Sequence, residues 1–171
     1  ISCLNLNTTF KVYNDINGKL GTTYTSMKNN EYLYIGTNQG LFFKKTNSKD
    51  VFKLIPGTEG QVWNIQLIDN TIFCGHNLGT YIIEKDKAHL IAKTPGTWKL
   101  ELHPFQKNTI VQGNYNGLNV LKKTNNKWNY AHKIKGFTNS SRYFEIINRK
   151  EIIVTHEHKG IFTLRLNDSL T

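Results

Sequence analysis

The sequence predicts an all-β fold: a β-propeller segment of about four blades, each of four antiparallel strands. Three observations predict it. A short glycine pattern recurs at nearly constant spacing. Short apolar runs rich in β-formers stand at the same place in each copy. No stretch carries the sustained i, i+3, i+4, i+7 apolar spacing of an amphipathic helix.

The glycine pattern is a Gly, three mostly polar residues, a second Gly and an apolar run. It reads Gly36-Thr37-Asn38-Gln39-Gly40-Leu41-Phe42, then Gly75-His76-Asn77-Leu78-Gly79-Thr80-Tyr81, then Gly113-Asn114-Tyr115-Asn116-Gly117-Leu118-Asn119. A worn fourth copy is His156-Glu157-His158-Lys159-Gly160-Ile161-Phe162, with His156 in the slot of the first Gly. The second Gly steps by 39, 38 and 43 residues. Strand-rich repeats of about 40 residues are the signature of propeller blades. The copies run roughly over 10–48, 49–87, 88–126 and 127–166 of a single segment spanning 1–171.

Each copy carries an aromatic residue ahead of its glycines. Tyr24, Trp63 and Phe144 each lie 12 residues ahead of Gly36, Gly75 and His156. Trp98 lies 15 ahead of Gly113, which places a three-residue longer connection at His103-Pro104-Phe105. Behind the aromatic the pattern has period two: Trp63, Ile65 and Leu67 on one side, Asn64 and Gln66 on the other. Trp98, Leu100 and Leu102 alternate in the same way with Lys99 and Glu101.

An apolar strand follows, at Tyr32–Ile35, Thr71–Cys74, Thr109–Val111 and Ile152–Val154. The glycine segment then turns the chain. A third strand comes next, at Leu41–Phe43, Tyr81–Ile83, Leu118–Leu121 and Ile161–Leu164, and an outer strand at Val51–Leu54, His89–Ile91 and Trp128–Tyr130. Phe10–Tyr13 reads as the outer strand of an earlier copy, and the last copy stops after its third strand near Leu166. A register cut at both ends and a start at Ile1 predict a fragment of a larger propeller. Its remaining blades, or self-association, would then cover the two end faces.

Composition bounds the function. There are 22 Lys+Arg against 12 Asp+Glu, a net charge of +10. The lysines are scattered over turns and outer segments, without a dense run or a nucleic-acid motif, so no nucleic-acid partner is expected. No run approaches the roughly 20 apolar residues of a membrane span. Cys3 and Cys74 are compatible with a disulfide or with two free thiols.

The stretch Tyr32-Leu33-Tyr34-Ile35-Gly36-Thr37-Asn38-Gln39-Gly40-Leu41 resembles the two-component regulator propeller repeat. That repeat's core is an aromatic or apolar pair, Ile-Gly-Thr, two loose positions, Gly and Leu. The copies at Gly75 and Gly113 keep both glycines but carry His76 and Asn114 in place of the Thr, and the last copy keeps only Gly160. The resemblance implies the periplasmic sensor region of an inner-membrane-anchored bacterial regulator. Such regulators are hybrid histidine kinases or triple-tyrosine-type transcription regulators, and their propellers perceive a small molecule, often a glycan fragment. It also implies that the aromatic strand is innermost. No kinase segment or helix-turn-helix is visible in the sequence.

On that basis the candidate ligand-binding residues are Trp63, Asn64, Gln66, Trp98, Lys99, Glu101, Arg142 and Glu145, with the rings of Tyr24 and Phe144 beside them. Recurring in every copy as structural residues do, the same rings suit wedging between blades. No cofactor is expected. His156 and His158 share one side of a strand or turn but lack a third ligand, so no metal site is expected. Glu101 and Glu145 are the only acids in the aromatic strands, each beside a Lys or Arg, and no nucleophile motif appears, so the segment reads as non-catalytic. The expected function is ligand sensing within a signal-transduction regulator, with output passed to a separate module. The alternative is a protein-interaction scaffold without a small ligand.

Overall fold

Four small antiparallel sheets follow one another along the chain in the computed structural model, which describes residues 18–171. The first sheet holds β1 (Thr23–Asn29), β2 (Tyr32–Thr37), β3 (Leu41–Lys45) and β4 (Lys53–Leu54). The second holds β5 (Val62–Ile68), β6 (Thr71–His76), β7 (Gly79–Glu84) and β8 (Lys87–Ala92). The third holds β9 (Lys99–Leu102), β10 (Thr109–Asn114), β11 (Gly117–Thr124) and β12 (Lys127–Lys133). The fourth has three strands, β13 (Tyr143–Asn148), β14 (Glu151–His156) and β15 (Gly160–Arg165). Strand order in each sheet is the order of the chain, and no helix occurs among the described residues. Each sheet starts on the aromatic strand, so a repeat copy counted from its outer strand straddles two sheets. Phe10–Tyr13 and Cys3 lie outside the described residues.

Local chemistry sets the turns. The hairpins β5–β6 and β11–β12 close through Asp69-Asn70 and Asn125-Asn126, all four at positive φ, as tight primed turns require. Asn and Asp tolerate that conformation better than other side chains. The outer strand of the first sheet is shorter than the sequence suggests. Val51 is well exposed and only Lys53–Leu54 pair with β3, through Phe43 and Phe42.

The core lies between sheets. Tyr34, Ile55, Val62, Ile65, Cys74 and Tyr81 fill the first interface. Phe73, Leu100, Ile110, Leu121 and Trp128 fill the second. Val111, Leu118, Ile134, Phe137, Phe144 and Val154 fill the third, closed beneath by Leu170. Cys74 is a free, fully buried thiol.

The paired glycines do two different jobs, seen most clearly in the third sheet. A Cβ on Gly113 would run into the carbonyl oxygen of Ser141, in the segment that leads into the fourth sheet. Gly117 has φ +106, and a Cβ there would meet the carbonyl oxygen of Phe137. One glycine lets the next sheet approach, and the other lets the connector fold back over its own hairpin.

The fourth sheet departs from the expected register. Thr155, not His156, occupies the first-glycine slot: it pairs with Tyr143 and Ile161 as Gly113 pairs with Lys99 and Leu118. The turn to Ile161 is one residue longer than its counterparts, and a bulge between Ile146 and Asn148 adds another residue. The position equivalent to Trp98 is therefore Arg142. Phe144 pairs with Val154 and sits in the core, as Leu100 and Ile65 do. Among the described residues no sheet covers the far side of this one, where Ile161 is 73% exposed.

Candidate functional site

At the end of the sheets where the first strands begin, one residue from each sheet joins a continuous ladder. Tyr24 and Trp63 occupy β-bulges: Thr23 and Thr25, and Val62 and Asn64, pair in register while the aromatic between them does not. A bulge re-aims its side chain, so Trp63 leaves the expected alternation with Ile65 and Leu67. Ile65 is buried and Leu67 exposed. Trp98 stands just before β9, its backbone N–H bonded to Gly113 O at 2.8 Å. Arg142 stands just before β13.

Ring centroids of Tyr24 and Trp63 are 4.8 Å apart, and those of Trp63 and Trp98 4.5 Å. The Arg142 guanidinium carbon lies 5.0 Å from the Trp98 ring and 5.3 Å from that of Tyr143. These separations lie within the range for aromatic and cation–π attraction. Both indole N–H groups are used internally: Trp63 donates to Tyr115 Oη at 2.9 Å and Trp98 to Ser140 Oγ at 3.2 Å. Burial raises the Tyr115 phenol, and the Trp63 hydrogen bond opposes that rise. Tyr24 and Tyr143, 44% and 48% exposed, flank the ladder. Arg142 is half exposed and pairs with Glu157 at 3.5 Å. A cleft of about 130 Å³ opens between Trp98, Arg142, Tyr143, His156 and Glu157.

A buried polar network holds Trp98 in place. Thr80 donates to Gln112 Oε1 at 2.8 Å, and Gln112 donates to Thr94 Oγ1 at 2.7 Å and to Asn114 Oδ1 at 3.1 Å. Asn114 donates to Thr97 Oγ1 at 2.9 Å and accepts from Asn119 at 2.9 Å. Satisfied networks of this kind make a segment rigid. Here the segment is Thr94–Thr97, which delivers Trp98.

The expected polar residues are drawn into ties between sheets. Asn64 donates to the carbonyl of Trp98 at 3.2 Å. Lys99 reaches the fourth sheet, donating to Phe144 O at 2.6 Å and Glu145 at 2.9 Å, and lies 2.8 Å from Glu101. Burial disfavours its charge, but the two carboxylates outweigh that and hold its pKa above the ordinary lysine value. Gln66 is half-buried on β5. Trp63, Trp98 and Arg142 therefore come together at the rim, while Lys99, Glu101 and Glu145 form a separate cluster between the third and fourth sheets. His156 Nδ1 accepts the N–H of His158 within its own turn at 3.2 Å. No group of three or more His, Cys, Asp or Glu suited to a metal occurs among the described residues. No helix there is long and apolar enough to cross a membrane.

Sequence reasoning missed Tyr115 and Ser140, which lie in a hairpin and a connector far along the chain from the indoles they bind. Arg142 was found as a polar neighbour of the Phe144 strand, but its place in the aromatic series emerges only from the strand register.

No family model matches the chain, and no curated protein matches it. Solved structures do. The computationally designed Ika4 protein superposes with a TM-score of 0.60 at 12% identity, over 85% of this chain and 92% of that one. The WD40 beta propeller domain of Doa1 gives 0.55 at 11% identity, over 81% of this chain and 48% of its own length. The AfRom2 CNH domain gives 0.51 at 8%, over 85% of this chain and 50% of its own. The chain thus spans nearly all of one propeller-like neighbour and about half of the others. At such identities the likeness concerns fold alone: the chain is an all-β protein with propeller blades.

Proposed function

We propose that this chain is the ligand-sensing propeller region of a bacterial signal-transduction regulator, a two-component sensor or a transcriptional regulator. It acts in the periplasm and binds a small ligand such as an oligosaccharide at the rim formed by Trp63, Trp98 and Arg142. The observation that carries this reading is the ladder: one equivalent residue per sheet, in contact across all three interfaces. Apolar ring surface with a few converging polar groups is what a small-ligand site needs. The cleft beside Arg142 takes one compact group, and the exposed rings of Tyr24 and Tyr143 extend the surface for a longer chain. The resemblance of Tyr32–Leu41 to the regulator repeat supports the signalling role. Ligand spanning several sheets favours one packing of the sheets over another, and an output module reads the difference.

The reading is non-catalytic. Cleavage of a sugar needs two carboxyl groups aimed at one bond, whereas Glu101 and Glu145 share the ammonium of Lys99. Calorimetric titration with an oligosaccharide panel tests the proposal. Saturable heat that is lost in Trp98→Ala and Arg142→Ala, with folding intact, is the expected result; no heat from any member contradicts it.

The uncovered side of the fourth sheet favours a second reading, a scaffold holding a protein partner, a second copy or further blades through Ile161 and Ile147. Loss of a protein partner on Ile161→Glu, with sugar titrations flat, would select that reading.

A further inference from the structure

A cavity of about 540 Å³ opens at the other end of the sheets, between the second and third, against the loop of residues 103–108. This loop is where the repeat breaks its spacing, and insertions in repeat proteins gather on loops of a binding face. Two ring nitrogens in side chains lining the cavity make no hydrogen bond within the protein: His103 Nε2 and Trp128 Nε1. Each of these side chains is only 3% exposed. A buried donor left unmet destabilises the fold unless something accepts from it.

Both nitrogens are donors. An indole N–H can only donate. His103 Nδ1 accepts the backbone N–H of Phe105 at 3.2 Å, which leaves the ring proton on Nε2. Burial, with Arg149 adding and Glu101 opposing, holds the His103 pKa below its ordinary value, so the ring is neutral at pH 7. The mouth of the cavity is apolar, with Leu102 and Phe105 about half exposed. Lys107 adds positive charge there and enters none of the ion pairs among the described residues. The one acidic side chain in the wall, Asp69, is already bound to Lys123.

We propose that this cavity is a second binding site, for a small molecule bearing a carboxylate on an apolar body. The carboxylate oxygens accept from His103 Nε2–H and Trp128 Nε1–H, and the body lies on Leu102 and Phe105. Two unmet donors in side chains of one cavity wall, with the Lys107 ammonium in the same wall, favour a carboxylate over a neutral carbonyl. The site stands at the opposite end of the sheets from the aromatic rim, so it succeeds or fails independently of the sensing proposal.

The probe is phenylacetate, read by the indole N–H resonance of Trp128 in the intact protein. Saturable movement of that resonance, with those of Trp63 and Trp98 still, is expected. His103→Phe should weaken the probe by about tenfold or more. Lys107→Gln, an exposed change that spares the fold, should weaken it several-fold, most at low salt. Benzyl alcohol should bind far more weakly. If His103→Phe does not fold, Lys107→Gln and the alcohol decide. The proposal is overturned if phenylacetate leaves Trp128 unmoved at millimolar concentrations, if both variants bind it as wild type does, or if the Trp128 N–H is met by water that the probe does not displace.

Discussion

Arg142 holds in the fourth sheet the place that Trp98 holds in the third, and its guanidinium lies 5.0 Å from the centre of the Trp98 ring. Three aromatics and a cation thus form one series across four sheets. The position is defined by strand register and not by residue type. Arg142→Trp should therefore be accepted, extending the ring series. Arg142→Ala should cost about 0.5–1 kcal/mol, the value of an exposed cation–π contact. Denaturant melts of both variants check this, and an Arg142→Trp protein far less stable than Arg142→Ala would show that the fourth sheet does not share the register.

Gly113→Ala isolates the approach of one sheet to the next. Gly113 has no positive φ, so the alanine is penalised only by collision with the Ser141 carbonyl. The expected loss is about 1–3 kcal/mol, as for overpacked interiors. Thr155, at the same slot of the fourth sheet, is exposed, and Thr155→Ala should be near neutral. Urea unfolding midpoints compare the two directly.

Lys99 ties the third sheet to the fourth. Lys99→Met leaves Glu101 without its ammonium and Phe144 O without its donor, at a cost of about 1–3 kcal/mol. Glu145 is exposed, so Glu145→Ala should cost no more than about 1 kcal/mol. The sign with pH follows from the raised Lys99 pKa. Its stabilisation is complete below the unfolded lysine value and is lost as pH climbs through the higher folded value. The gap between wild type and Lys99→Met should hold at neutral pH and close in strong alkali.

Burial pushes the Cys74 thiol up to about 12, from 9.0 when free. The folded protein should leave it unalkylated at pH 8, because thiolate is the reactive form and is nearly absent. In a Cys3→Ser background, iodoacetamide should label Cys74 only as fast as the protein unfolds. Above pH 9.0 the neutral thiol becomes a liability, and stability should fall as pH approaches 12.

Much of the architecture was legible in the sequence because each sheet repeats the same chemistry. The Gly-x3-Gly pattern marks the second hairpin of the first three sheets, and the 15-residue gap after Trp98 places a longer connection at His103–Phe105, inside the loop of residues 103–108. In the fourth sheet the longer turn puts His156 one residue past the true slot at Thr155, and the bulge at Ile147 adds a second residue, so Phe144 stands two positions past the ladder residue Arg142. The positions that follow the first glycine differ in residue type between the copies. Thr37 Oγ1 accepts the N–H of Gln39 at 3.0 Å, and His76 Nδ1 accepts that of Leu78 at 3.1 Å, so a different side chain meets the same backbone need. Asn114 joins the buried network instead. The side-chain ties of Asn64 and Lys99 could not be read, because alternation along one strand does not say which neighbouring sheet a side chain reaches.

Hydrogen–deuterium exchange, with and without a bound oligosaccharide, tests the sensing proposal most directly. The rim account predicts slowed exchange at the starts of β5, β9 and β13, around Trp63, Trp98 and Arg142, and little change in β8 and β12. Slowing confined to the outer strands, or no change at the rim under saturating ligand, would contradict it.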